Sequence, residues 1–351
     1  MMTPIQSSHL YQEIHQQPEV IRNLIGTPQQ AIKDLAAQIH SREIRQVVIA
    51  ARGTSDNAAR YAKYLLGAHN HLLVSLAAPS LFTLYNQPPD LTNTLILGIS
   101  QSGKSPDIVS VLKEGSKQGA LTAAMTNNPN SDLGNAADFV LALQAGEELS
   151  LAATKTYTAQ LTCVALLSAA LGSSPKLQQD LLDLPDQIER LFENESQVKT
   201  LVERYRYMTH CTIIGRGFNY ASAFEFSLKL KELSYTIAEP YSGADFLHGP
   251  IALVDRGYPI FVLAPGSTMT EDTKTLIAKL KERQAEVVIF SDQEDLLAIA
   301  DQKHALPGDV PEWLSPITTI VPAQMFAMYL TNTRGLNVDS PRGLHKVTET
   351  W

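Results

Sequence analysis

The sequence predicts an α/β protein made of two copies of one parallel-sheet unit, each sheet flanked by helices in three layers. Three observations predict it. Short apolar runs alternate with helical patterns, the order that parallel sheets produce. The pattern repeats at an offset of 164 residues: Arg52-Gly53 recurs as Arg216-Gly217, the run ending at Ser100 recurs at Ala264, and 122–125 recurs at 286–289. The chain has 351 residues, 44% hydrophobic and 18% charged, enough to bury two cores.

Taken in order, residues 1–30 read as an N-terminal helical segment. The first domain is expected over 31–175, with strands at 46–51, 72–76, 94–100, 121–125 and 139–143 and helices at 56–66 and 107–118. Residues 176–206 read as a charged helical connector. The second domain is expected over 207–335, with a strand at 212–215 and a polar helix at 225–232. Residues 336–351 carry Pro341 and Gly343 and read as a tail, not a packed element.

Lys plus Arg number 28 and Asp plus Glu 36, a formal charge of −8. That balance argues against nucleic-acid and anionic-membrane partners, though not against a small anionic substrate. Cys163 and Cys211 lie in apolar runs and are expected to be buried thiols. No histidines and cysteines group at zinc spacing and no nucleotide fingerprint is present, so neither metal nor cofactor is expected. The N-terminal residues show no basic-then-apolar leader and no uncharged apolar run reaches spanning length. The expected location is the cytoplasm.

The chemistry concentrates in a few segments. Ser100-Gln101-Ser102-Gly103-Lys104-Ser105 follows a strand and leads into a helix. Hydroxyls, backbone N–H groups and a helix N-terminus then converge on one point, an arrangement suited to phosphate. Gly53-Thr54-Ser55 also follows a strand and forms a second candidate wall. The second copy has Ala264-Pro265-Gly266-Ser267 at the corresponding place, so only the first looks built for a ligand.

Glu225, Lys229 and Glu232 fall at i, i+4 and i+7 and share a helix face. The segment from Glu239 to Pro250 reads as turn-rich, with Asp245 and a lone His248. A carboxylate, a histidine and a lysine suit proton transfer beside a carbonyl and ring opening of a sugar.

Seven ordered segments resemble the isomerase half of glutamine–fructose-6-phosphate amidotransferase, built from paired sugar-isomerase (SIS) domains. They begin at Glu13-Ile14-His15-Gln16-Gln17-Pro18, Gly53-Thr54-Ser55 and Ser100-Gln101-Ser102-Gly103. Ala153-Thr154-Lys155-Thr156-Tyr157-Thr158 and Leu228-Lys229-Leu230-Lys231-Glu232 follow. His248-Gly249-Pro250 and Pro341-Arg342-Gly343-Leu344-His345-Lys346 complete the set. The resemblance implies two tandem flavodoxin-like SIS domains.

It also implies roles. Ser55, Ser100, Gln101, Ser102 and Ser105 would bind phosphate and sugar, Glu232 would move the C1/C2 proton, and His248 would open the ring from a neighbouring subunit of a homodimer. Glu225 and Lys229 would support the reacting carbons, and Lys346 would meet the open-chain sugar, the tail completing the site. Four positions depart from the pattern. Lys104 replaces an acidic residue, Ala153 stands where a serine is common, Phe226 replaces a small residue and Asp245 a longer carboxylate.

With no glutaminase segment and no cysteine near residue 1, the expected reaction is that of a stand-alone deaminase: glucosamine 6-phosphate and water give fructose 6-phosphate and ammonia. The alternatives are a fructosamine-6-phosphate deglycase, a galactosamine-6-phosphate deaminase and a non-catalytic phosphosugar sensor.

Overall fold

A computed structural model describes residues 4–172 and 174–346. The first sheet contains β1 (Gln46–Ala50), β2 (Leu73–Leu76), β3 (Thr94–Ile99), β4 (Leu121–Thr126) and β5 (Phe139–Ala142). Its order is β2-β1-β3-β4-β5, with every pair parallel. The second sheet contains β6 (His210–Gly215), β7 (Ile237–Tyr241), β8 (Pro259–Leu263), β9 (Glu286–Ser291) and β10 (Gln302–Ala305). Its order, β7-β6-β8-β9-β10, repeats that of the first, and its pairs are also parallel. The expected duplication is therefore one of topology, and Gln46 to His210 and Leu73 to Ile237 keep the 164-residue offset.

Every residue of β3 and β4 is buried, which is why these strands read as continuous apolar runs instead of alternating ones. Helices cover both faces. In each sheet the connections change direction between the first and third strands, at β1/β3 and β6/β8. Open parallel sheets bind ligands outside the carboxyl ends of the strands at such points.

The chain divides into two compact units. One holds the first sheet, with Glu19–Glu148, Lys155–Asp183 and the chain from His345; the other holds the second sheet, with the chain up to Pro18, Leu149–Thr154 and Leu184–Leu344. Among the described residues no helix is long and apolar enough to cross a membrane. Cys163 and Cys211 are buried free thiols; burial pushes Cys163 up to about 12 and Cys211 upward as well.

Two sequence expectations need correction. The turn-rich reading of the segment from Glu239 is wrong at its start, because Glu239-Pro240-Tyr241 ends β7. β7 is an edge strand, where the missing N–H of Pro240 removes no ladder bond. The tail is packed as far as Arg342. Asp339 accepts hydrogen bonds from the His9 and Leu10 N–H groups at 3.0 and 2.8 Å, at the start of helix His9–His15. Val338 is buried, the Arg342 N–H donates to the Tyr235 hydroxyl at 2.9 Å, and the Arg342 guanidinium lies 4.0 Å above that ring. Such polar anchoring leaves no apolar period in the sequence.

In the second sheet His304 is 1% exposed, packs on Phe290, and neither ring nitrogen has a hydrogen-bond partner among the described residues. Burial pulls its pKa from 6.5 down to about 4. The unfolded chain therefore binds a proton between these values that the folded chain refuses. Stability is full above pH 6.5 and declines as pH falls toward 4, by on the order of 3 kcal/mol. Unfolding curves of wild type and His304→Leu across this range should diverge; parallel curves would contradict the assignment.

Candidate functional site

In the first unit the two candidate walls stand at the carboxyl ends of β1 and β3. After β3 the loop is held rigid by its own bonds. Ser100 N–H donates to the Met125 carbonyl at 3.1 Å, Gly103 N–H to Ser100 Oγ at 3.1 Å, and Lys104 N–H to Ser102 Oγ at 3.3 Å. Gln101 and Ser102 are half-buried and Lys104 is exposed. Ser105 precedes helix Pro106–Lys117 without using its side chain as a cap, so its hydroxyl stays beside the helix's positive end.

Gly103 has φ +65°, and a Cβ there would lie 2.0 Å from Ser131 Oγ. Both the left-handed backbone and the close approach demand glycine. Gly103→Ala is expected to cost about 1–3 kcal/mol of stability, because Ser131 also caps the next short helix through Gly134 N–H. Thermal unfolding of the variant beside wild type checks this.

Gly53, at φ +54°, turns the chain into helix Thr54–Asn70. Ser55 is 7% exposed and its Oγ accepts a 2.9 Å bond from Gln160, which orients the hydroxyl and leaves its own proton to donate. The two walls are tied by Arg52, whose Nε lies 2.8 Å from the fully buried carboxylate of Asp107 in the first turn of helix Pro106–Lys117. Arg52 and Asp107 were not predicted; an arginine after one strand and an aspartate after another give no local sign of pairing.

Lys346 lies in this same unit. Its ammonium is 3.2 Å from the carboxylate of Glu148, another residue missed by sequence reasoning.

The corresponding loop after β8, in the second unit, is already occupied by the chain's own carboxylates. Asp292 accepts from Gly266 N–H at 2.6 Å and Glu312 from Thr268 N–H at 3.3 Å. Arg216 pairs with Asp272 at 2.8 Å, the counterpart of Arg52 with Asp107. The remaining cleft of about 20 Å³ has room for a water. A phosphate there would have to displace internal anions.

The second unit's polar helix spans Tyr220–Ser234. Lys229, 1% exposed, lies between Glu225 at 3.3 Å and Glu232 at 2.6 Å. Glu225 is fully buried, whereas the Glu232 side chain is 22% exposed. Burial alone would lower the Lys229 pKa; Glu225 and Glu232 outweigh it and hold the ammonium well above its usual range. One carboxylate is thus sequestered, one reaches solvent, and a fixed cation sits between them.

The helix is held against its sheet on its other sides. Phe226 makes edge contacts with Phe261, Phe290 and Phe326, so this departure from the family pattern is absorbed by the core. Ser227 Oγ donates to the Ala238 carbonyl in β7 at 2.7 Å. Arg334 donates to the Ser234 carbonyl at the helix end at 2.8 Å, placing a cation where the helix dipole favours one.

His248 is exposed, just beyond the short helix Gly243–Leu247, beside exposed Leu247 and Leu253. Asp245 bonds with Ser242 as a local cap. Ala153 is half-buried in a loop anchored by Glu13, whose carboxylate accepts from Leu149 and Ser150 N–H and from Ser150 Oγ. The structure thus brings Glu225, Lys229 and Glu232 together in one unit, and the serine-rich loop and Gly53-Thr54-Ser55 together in the other.

Comparison with known proteins follows this division. The SIS domain family matches residues 41–170 and again 208–334, one match per sheet. Over 346 residues the chain is 32% identical to the isomerizing glutamine–fructose-6-phosphate aminotransferase of Thermococcus kodakarensis, covering 96% of this chain and 57% of that protein. The chain therefore spans little more than half the length of that relative. The solved C-terminal domain of glucosamine-fructose-6-phosphate aminotransferase from Francisella tularensis aligns with a TM-score of 0.87 at 26% identity, over 95% of this chain and 98% of that one. Glucosamine-6-phosphate deaminase from Thermotoga maritima aligns with a TM-score of 0.76 over 98% of this chain and 100% of that one; at 22% identity the likeness is one of fold.

Proposed function

The chain belongs to the SIS domain family, and on that footing we propose that it is a glucosamine-6-phosphate deaminase-isomerase. The observation that carries this reading is the Glu225–Lys229–Glu232 cluster, with one solvent-reaching carboxylate held against a fixed ammonium. It is the equipment for moving a proton between adjacent carbons of an open-chain sugar.

In this reading Ser100, Gln101, Ser102 and Ser105 hold the phosphate with Gly53, Thr54 and Ser55, and Ala153 lines the sugar. His248 opens the ring, and its exposure beside Leu247 and Leu253 suits donation to a second copy of the chain in a homodimer. Glu232 takes the proton from C2 and returns one to C1. The product is an imine at C2, which water hydrolyses to the ketone with release of ammonia. Lys346 stabilises negative charge developing on oxygen.

The test is ammonia release from glucosamine 6-phosphate by the purified protein, beside galactosamine 6-phosphate and fructosamine 6-phosphates. Ammonia with fructose 6-phosphate supports the reading. Turnover confined to another phosphosugar overturns the substrate, and tight binding without turnover overturns the enzyme.

A further inference from the structure

We propose that Glu148 is the positioning residue for Lys346, a fixed carboxylate on which the tail lysine docks. The inference rests on the proposed role of Lys346 and extends it to a residue with no role so far.

The geometry is specific. The Glu148 side chain is fully buried. Oε1 accepts from Thr156 N–H at 3.2 Å and Oε2 from Thr156 Oγ1 at 2.8 Å. Thr156 lies in the first turn of helix Lys155–Gly172, so the carboxylate satisfies an N–H that has no partner within the helix and faces the positive end of the dipole. Two bonds from one residue fix the plane of the carboxylate. Oε2 then meets Lys346 Nζ at 3.2 Å, and the lysine side chain remains 28% exposed.

This division has a chemical consequence. A buried anion already bonded to a helix end has little freedom, whereas lysine brings four rotatable bonds. Docking on Glu148 restricts that freedom before substrate arrives. Glu148 touches only protein in this scheme and acts through Lys346.

The experiment compares wild type, Glu148→Gln, Glu148→Asp, Lys346→Met and the Glu148→Gln/Lys346→Met double variant. Reductive methylation followed by mass spectrometry reads the docking without any need for turnover. Lys346 should react about 10-fold faster in Glu148→Gln, matching loss of one charge-assisted contact of about 1.4 kcal/mol. In the ammonia assay Glu148→Gln should lower kcat about 10- to 100-fold with KM changed less than about 3-fold, the signature of an interaction used in the transition state. Glu148→Asp should recover part of that loss, and the double variant should be no slower than Lys346→Met.

Unchanged Lys346 methylation in Glu148→Gln overturns the proposal, as do kcat losses that multiply in the double variant. If Glu148→Gln does not fold, Lys346→Met supplies the test from the solvent side: equal kcat with and without it removes the reason for docking. A wild type that releases no ammonia while its Lys346 is protected refutes the deaminase reading and leaves the docking intact.

Discussion

Glu232→Gln should retain its fold and its affinity for phosphosugar while losing on the order of 10²- to 10⁴-fold in turnover, the range supplied by one general acid–base group. The amide keeps the size of the carboxylate, so the helix surface is unchanged. Lys229 retains Glu225 as a charged partner at 3.3 Å, so the buried ammonium is not stranded. What disappears is the one carboxylate of the cluster that reaches solvent. Ammonia release and exchange of the C2 proton in heavy water should fall together, with KM changed only a few-fold. Near-normal exchange would remove Glu232 from proton transfer.

Lys229→Met should have the larger effect on stability. Glu225 is fully buried, and deleting its cation leaves an uncompensated charge, for which about 3–5 kcal/mol is typical. Adding Glu225→Gln should restore much of that loss, because the second change removes the stranded charge. Activity should stay low in both proteins, since Glu232 also loses its 2.6 Å partner. A single variant destabilised by less than about 1 kcal/mol would show that the pair contributes little. The sign with pH is fixed by the raised Lys229 pKa: its contribution is complete below 10.5, the unperturbed value, and is lost only as pH rises through the higher folded value. It therefore cannot produce the acid loss expected from His304.

Some features were local enough to be read from residue order. Strands β3 and β4 are buried on both faces, so apolar runs marked them; the repeat offset marked the second copy. The spacing of Glu225, Lys229 and Glu232 placed them on one helical face by periodicity alone. The serine-rich loop was legible because hydroxyls and a glycine between a strand and a helix form a local pattern; the positive φ of Gly103 came only with the structure.

Other features had no local signature. Asp107 is 55 residues from Arg52, and Glu148 is 198 from Lys346. Arg334 reaches the Ser234 carbonyl across 100 residues. Each pairing depends on strand order and helix docking, which bring together residues that chain order keeps apart.

The sequence alone therefore determined the doubled parallel-sheet fold and the chemical character of its two polar segments, because hydrophobic period and turn chemistry act over a few residues. The tertiary structure decided their states. It buried Glu225 and left Glu232 within reach of solvent, oriented Ser55 with Gln160, filled the second copy's loop with Asp292 and Glu312, and set Lys346 on Glu148. Burial and charge pairing are properties of packed neighbours, and packing is settled only when distant elements meet.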